Sequence, residues 1–69
     1  MERQKISSTS IKSMGFDNGV LEVEFKSGGV YQYKGVPMET YQKLRISDSI
    51  GSSFSSDVIK KGYTFEKVL

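Results

Sequence analysis

The feature that most constrains this fold is a pair of alternating segments joined by glycines. In residues 21–26, apolar side chains alternate with charged ones, the period of two that is typical of a strand with one face in water. After Gly28 and Gly29, the tyrosines of residues 31–34 alternate with polar residues in the same way. The two segments predict an antiparallel hairpin.

A second hairpin is predicted upstream, because Asn18-Gly19 separates two apolar segments. Both central residues of a type I′ turn need a positive φ, which this dipeptide adopts readily. With these two residues as the loop, Phe16 lies opposite Leu21 and large apolar side chains meet. The same register turns Lys12 inward and Ile11 outward, so we expect a bulge or an early strand end there.

The glycine turn between residues 21–26 and residues 31–34 allows two registers. One register places both tyrosines on the outer face of the sheet, and the other places both on the inner face. A two-residue loop, Gly28-Gly29, turns Tyr31 and Tyr33 to the outer face. A three-residue loop, residues 27–29, sets Tyr31 opposite Phe25 and turns both rings inward. We favour the three-residue loop, because two buried rings enlarge a small core.

Helical spacing replaces the alternation after Pro37, a residue that suits the first position of a helix. An apolar stripe follows at intervals of three residues and predicts a short amphipathic helix. Its members are Met38, Tyr41 and Leu44. A serine-rich loop comes next, and then a second helical face. The members of that face are Phe54, Val58 and Ile59. Alternation over residues 63–68 predicts a closing strand that turns Tyr63 and Phe65 inward.

These elements predict an α+β fold: a small antiparallel β-meander of three strands, two short helices and a closing C-terminal strand. A chain of 69 residues suffices for one small domain, which we assign to residues 10–69. Residues 1–9 are polar and serine-rich, and we expect a flexible N-terminal arm from which only Ile6 docks on the sheet.

The composition argues against an enzyme. The chain has no cysteine and no histidine, which removes thiolate metal sites, disulfides and the commonest general base. Glu22 and Glu24 share one strand face, but Lys26 flanks them, and a solvated charged face is the simpler interpretation. We expect no catalytic residues, no metal and no cofactor. With no signal peptide and no apolar segment long enough for a membrane, a cytoplasmic protein is expected.

The serine-rich loop is the first candidate binding site. Ser49, Gly51 and Ser52 lie where a helix begins, and free backbone N–H groups and hydroxyls there suit a phosphate oxygen. The spacing is not that of a P-loop, and an ordinary helix start explains the same residues.

A basic and aromatic group is the second candidate. Lys60, Lys61 and Tyr63 are close in sequence, and Arg45 lies on the preceding helix. Lysines beside an aromatic ring suit a single-stranded nucleic acid, with phosphate on the lysines and a base on the tyrosine. Two lysines at a helix C-terminus are equally consistent with favourable interaction with the helix dipole.

The sequence also resembles a known family. The most specific part is Gly-Gly-Val-Tyr-x-Tyr-x-Gly-Val-Pro at residues 28–37, and weaker matches extend over residues 8–68. This pattern resembles the KTSC domain, which occurs at the C-terminus of some lysyl-tRNA synthetases and as standalone bacterial and phage proteins. The resemblance implies RNA binding. Members commonly carry asparagine where this chain has Ser55.

Two functions follow as hypotheses. The first is an RNA-binding module, for single-stranded RNA or tRNA, with contacts from Arg45, Lys60, Lys61 and Tyr63 and a phosphate at residues 49–52. The alternative is a standalone phage-type inhibitor or sequestering protein that binds a host protein or a nucleotide-like small molecule. A homo-oligomer would favour the alternative, because two subunits can form a larger pocket than one.

Overall fold

A computed structural model describes residues 1–69 and shows one antiparallel sheet of five strands whose spatial order follows the chain. The strands are β1 (Gln4–Lys5), β2 (Ile11–Asp17), β3 (Val20–Phe25), β4 (Val30–Lys34) and β5 (Thr64–Lys67). Helices α1 (Met38–Ile46) and α2 (Ile50–Phe54) lie between β4 and β5, and α2 continues into a π-helical turn, Ser55–Ile59. The α+β class with two helices and an antiparallel sheet is confirmed. Neither helix has the length and apolar character needed to cross a membrane.

Strand β1 departs from the expected architecture. Gln4 lies opposite Met14 of β2, so the sheet has five strands rather than three and a closing one. The prediction omitted this strand because two polar residues at a sheet edge carry no alternating apolar pattern. Ile6 packs against the core, as expected, and its backbone N–H donates to the carbonyl of Lys12 at 3.0 Å.

The first hairpin is confirmed at both ends. Asn18 and Gly19 form its turn with φ values of 49° and 78°, and Phe16 lies opposite Leu21. At the far end, the register shifts between Ile11 and Ser13, which is the expected bulge. The bulge reverses the facing predicted for Ile11, whose side chain is fully buried in the core.

The second hairpin has a three-residue loop, but the loop is residues 26–28 rather than 27–29. The N–H of Phe25 donates to the carbonyl of Gly29 at 3.1 Å, which closes this loop. As a result, Tyr31 lies opposite Val23 instead of Phe25. The observed register differs from the expected one by two residues. Because side chains alternate with a period of two, both tyrosines still face the helices.

The core lies between the sheet and the helices. Its nine buried members are Ile11, Met14, Leu21, Val23, Tyr33, Val36, Leu44, Phe54 and Val58. Helix α1 contributes Leu44, and its Tyr41 stacks on Phe16 with 5.2 Å between ring centroids. Met38 and Ile59 were expected on the same apolar faces but are largely exposed. Helix α1 contacts the core through its middle and last turn, so its first residue extends beyond the core.

The opposite face of the sheet carries a polar network that binds the N-terminal segment. Glu22 is 5% exposed, and it forms an ion pair with Arg3 and accepts a hydrogen bond from Gln32 at 2.8 Å. The hydroxyl of Ser13 accepts from Arg3 at 3.0 Å and donates to Glu24 at 2.9 Å. The expectation that both glutamates lie on a solvated face is therefore wrong for Glu22.

Candidate functional site

The residues predicted to bind a ligand lie in three places on the fold. Ser49, Gly51 and Ser52 line a cleft at the start of α2. Arg45 lies beside β1, since its guanidinium donates to the side chain of Gln4 at 3.2 Å. The remaining three, Lys60, Lys61 and Tyr63, come directly before β5.

Arg45 and the two lysines are associated with different edge strands of the sheet. Arg45 lies on the β1 side, with its guanidinium 5.7 Å from the centre of the Tyr41 ring. Strands β1 and β5 are the two outer strands of the sheet, and four interstrand spacings of roughly 4.8 Å place these edges about 19 Å apart. Arg45 is therefore next to one edge strand, whereas Lys60 and Lys61 directly precede the other.

The two lysines come directly before β5, which carries an aromatic side chain that was not predicted as part of a site. Phe65 of β5 is 58% exposed, and its ring centroid lies 5.4 Å from that of Tyr33 and 6.2 Å from that of Tyr31. The sequence assigned Phe65 to the inward face, which is correct for its side of the sheet. Because β5 is an edge strand, however, no further strand lies beside it to cover the rest of the ring.

Lys67 adds a cation to this surface. It lies opposite Tyr31 in the β4–β5 pair. A Cβ atom added at Gly29 would lie 3.2 Å from the Tyr31 ring and 3.4 Å from Cε of Lys67, so the two side chains border the same point. We give the name β5 surface to the basic and aromatic side chains on β5 and directly before it, together with Tyr31. Its members are Tyr31, Lys60, Lys61, Tyr63, Phe65 and Lys67.

The cleft is the second candidate site. It has a volume of about 450 Å³ and is lined by residues 7–10 and 48–52, together with Ser55. Seven of these ten residues carry a hydroxyl group, and Asp48 is the one ionisable side chain among them. The three serine-loop residues predicted as a site therefore do meet at a concave surface. Its other wall comes from the segment that was expected to be a flexible arm.

The two walls approach each other closely at Gly51. A Cβ atom at this position would lie 3.1 Å from Oγ of Ser10 and 3.8 Å from Oγ of Ser8. The Ser8 hydroxyl accepts hydrogen bonds from the backbone N–H groups of Ser10 and Ile11, both at 3.3 Å, and so holds its own wall in shape. A sequence signal for this wall existed in the serine enrichment of residues 7–10, but nothing in it indicated proximity to α2.

The structure contains no group of three or more histidine, cysteine, aspartate or glutamate side chains that could hold a metal ion. Ser55, where the family resemblance leads us to expect asparagine, lines the cleft, so we expect any effect of this difference at the cleft.

Two comparisons with known proteins, one of sequence and one of structure, identify the same family. The model of the KTSC domain matches residues 7–63. An uncharacterized protein of Stutzerimonas stutzeri (strain A1501) is 37% identical over 70 residues, which cover 99% of each chain. The crystal structure of a KTSC domain protein from Yersinia pestis is similar with a TM-score of 0.89 and 38% identity, over 99% of this chain and 97% of that one. The chain therefore belongs to the KTSC domain family.

Proposed function

We propose that this protein is a non-enzymatic module that binds single-stranded RNA through the β5 surface. The observation that carries the proposal is the exposure of Phe65 on a strand that also carries Lys67 and directly follows Lys60 and Lys61. A large aromatic ring that is 58% exposed on a sheet is a position where a nucleic-acid base can stack.

The aromatic part of the surface is held in place by contacts with other aromatic rings. Tyr33 is buried, and its ring lies edge-on to Phe54 with 5.4 Å between centroids. Phe65 packs on Tyr33 and Tyr31, so its ring is supported on one side and open on the other. A ring whose orientation is already fixed loses little conformational freedom when a base stacks on it, which favours binding.

The cationic part can contact phosphates. Lys60, Lys61 and Lys67 are exposed, and none of them forms a salt bridge within the protein. Each phosphate neutralised on a single strand contributes about −0.7 to the slope of log K against log salt concentration. Three lysines in contact with phosphates therefore predict a slope of about −2.

A single strand suits this surface better than a duplex. The net charge of +2 is small for a protein that binds duplex phosphates alone. Stacking requires unpaired bases, which a duplex does not offer. The resemblance to the KTSC domain implies RNA binding through the occurrence of that domain in some lysyl-tRNA synthetases, so RNA is the polynucleotide to test.

The test is a fluorescence anisotropy titration with a labelled single-stranded RNA and a duplex of the same length, at several salt concentrations. We expect the single strand to bind more tightly and with the slope given above. Lys60→Ala combined with Lys61→Ala should flatten the slope, whereas Arg45→Ala, on the other edge, should leave it unchanged. Equal loss from all of these substitutions, or no binding at low salt, would refute the proposal.

A second candidate function, capture of a protein partner, is favoured by the open edge of β5. This strand pairs only with β4, and the exposed apolar residues are Phe65 on it and Val68 and Leu69 just after it. An edge of this kind can accept a strand from another protein. A partner captured from a bacterial lysate that survives RNase treatment, and is lost with Phe65→Ala, would favour this candidate over RNA.

A further inference from the structure

We propose that the cleft between residues 7–10 and 48–55 binds a neutral ligand rich in hydroxyl groups, of the size of one sugar ring. This site is distinct from the β5 surface, because its first wall is the connection between β1 and β2 at the other side of the sheet. Its volume of about 450 Å³ lies within the range of small-molecule sites, about 300–1,000 Å³.

The lining matches an alcohol-rich ligand in hydrogen-bonding character. A serine or threonine hydroxyl both donates and accepts, as does each hydroxyl of a sugar. Of the seven side-chain hydroxyls in the lining, only that of Ser8 forms a hydrogen bond within the protein. The other six can therefore pair with a ligand without breaking a contact that the fold needs.

The charge of the lining decides between a sugar and a phosphate. Asp48 lines the cleft, forms no salt bridge, and has no lysine or arginine beside it in the lining. An ionised carboxylate repels a phosphate dianion. The same carboxylate has two oxygens that only accept, and so it can take hydrogen bonds from two neighbouring hydroxyls of a ring. This chemistry favours a neutral diol over the anion that the serine loop alone suggested.

The absence of a side chain at Gly51 leaves space in the cleft, so a substitution there can test ligand binding. A Cβ atom at this position would lie 3.1 Å from Oγ of Ser10, and an alanine would therefore narrow the cleft between its walls. The contact is with a side-chain hydroxyl rather than backbone, and alanine is the better helix former by about 0.5–1 kcal/mol. Gly51→Ala should therefore fold normally while obstructing the ligand.

The experiment is a set of amide chemical-shift titrations of the full chain with D-ribose, methyl glucoside, uridine and inorganic phosphate. We expect saturable shifts in residues 7–10 and 48–52 with one or more of the three neutral compounds, and none there with phosphate. D-ribose, methyl glucoside and uridine all carry vicinal hydroxyls. Their relative affinities show whether the cleft prefers a carbohydrate or the ribose of a nucleoside.

Three variants complete the test. Gly51→Ala should abolish the shifts, and Asp48→Asn should weaken binding about tenfold, because a charge-assisted hydrogen bond is lost. Asp57→Asn, which removes a carboxylate outside the cleft, should bind as the unmodified protein does. Thermal melting of each variant shows whether it folds. Shifts with phosphate that grow in Asp48→Asn, or no saturable shift with any neutral compound, would overturn the proposal.

Discussion

Arg3 and Glu22 form an ion pair that connects the N-terminal segment to the middle of the sheet. Strand β1 pairs only with β2, whereas Glu22 belongs to β3, so the Arg3 side chain reaches across a whole strand. The Glu22 side chain is 7% exposed and has Gln32 as its second partner. This contact explains how a polar segment without an apolar pattern becomes part of the fold.

Replacing Arg3 by alanine should lower the free energy of unfolding by about 1–3 kcal/mol, because the buried Glu22 carboxylate loses a charged partner. Urea denaturation of Arg3→Ala, Glu22→Gln and the double variant measures the coupling between the two residues. The pair formed by Lys34 and Glu66, 3.4 Å apart and more than half exposed, is the matched control. Its coupling should be about 0.5 kcal/mol or less. Equal coupling in the two pairs would contradict the structural role of Arg3.

The free energy of unfolding should fall in acid, partly because Glu22 becomes protonated. Burial by itself raises the pKa of this carboxyl, but hydrogen bonds from Gln32 and Arg3 and the charge of Arg3 outweigh burial and hold the pKa below its usual 4.5. The unfolded chain therefore binds the proton more readily than the folded one. The contribution of Glu22 is present above about pH 4.5 and is lost as the pH falls through the lower, folded-state pKa.

Urea midpoints measured across this pH range for the unmodified protein and for Glu22→Gln test the prediction. The stability advantage of the unmodified protein over Glu22→Gln should shrink as the pH falls. An advantage that is independent of pH would show that the Glu22 pKa is not lowered by folding.

Gly15 should be intolerant of any side chain. A Cβ atom there would lie 2.3 Å from the backbone carbonyl oxygen of Glu2, a distance that forces the N-terminal segment away from β2. We expect Gly15→Ala to lower the free energy of unfolding by about 1–3 kcal/mol. Deletion of residues 1–5 removes the clash, so in that background the same substitution should cost much less. Equal losses with and without these residues would contradict the close approach.

Phe65→Ala should weaken binding of single-stranded RNA about tenfold or more, because one stacked base contributes about 1–3 kcal/mol. Met38→Ala is the matched control, since Met38 is 55% exposed, close to the 58% of Phe65, but lies on α1. Anisotropy titrations at one salt concentration give both affinities. An equal loss in the two variants would indicate that the aromatic ring has no specific role.

The local elements could be predicted from the sequence, because their determinants are close together in the chain. Asn18 and Gly19 specify a turn by their backbone preferences, and alternation specifies the face on which each strand residue lies. The KTSC motif could also be recognised at this level. Of the candidate site, Ser49, Gly51 and Ser52 were correctly expected to lie together at the start of a helix.

What remained was decided by contacts between distant segments. A shift of two residues in the second hairpin leaves every side chain on the same face, so the alternating pattern could not distinguish the register of Tyr31. Strand β1 pairs with β2, and the neighbouring Arg3 reaches Glu22 of β3, a contact that appears only when three strands are side by side. In the same way, only the folded sheet places Arg45 next to one edge strand and Lys60 and Lys61 before the other, and only the fold brings residues 7–10 to Gly51. The physical reason is that the chain direction of each strand, not its composition, determines which edges and ends meet.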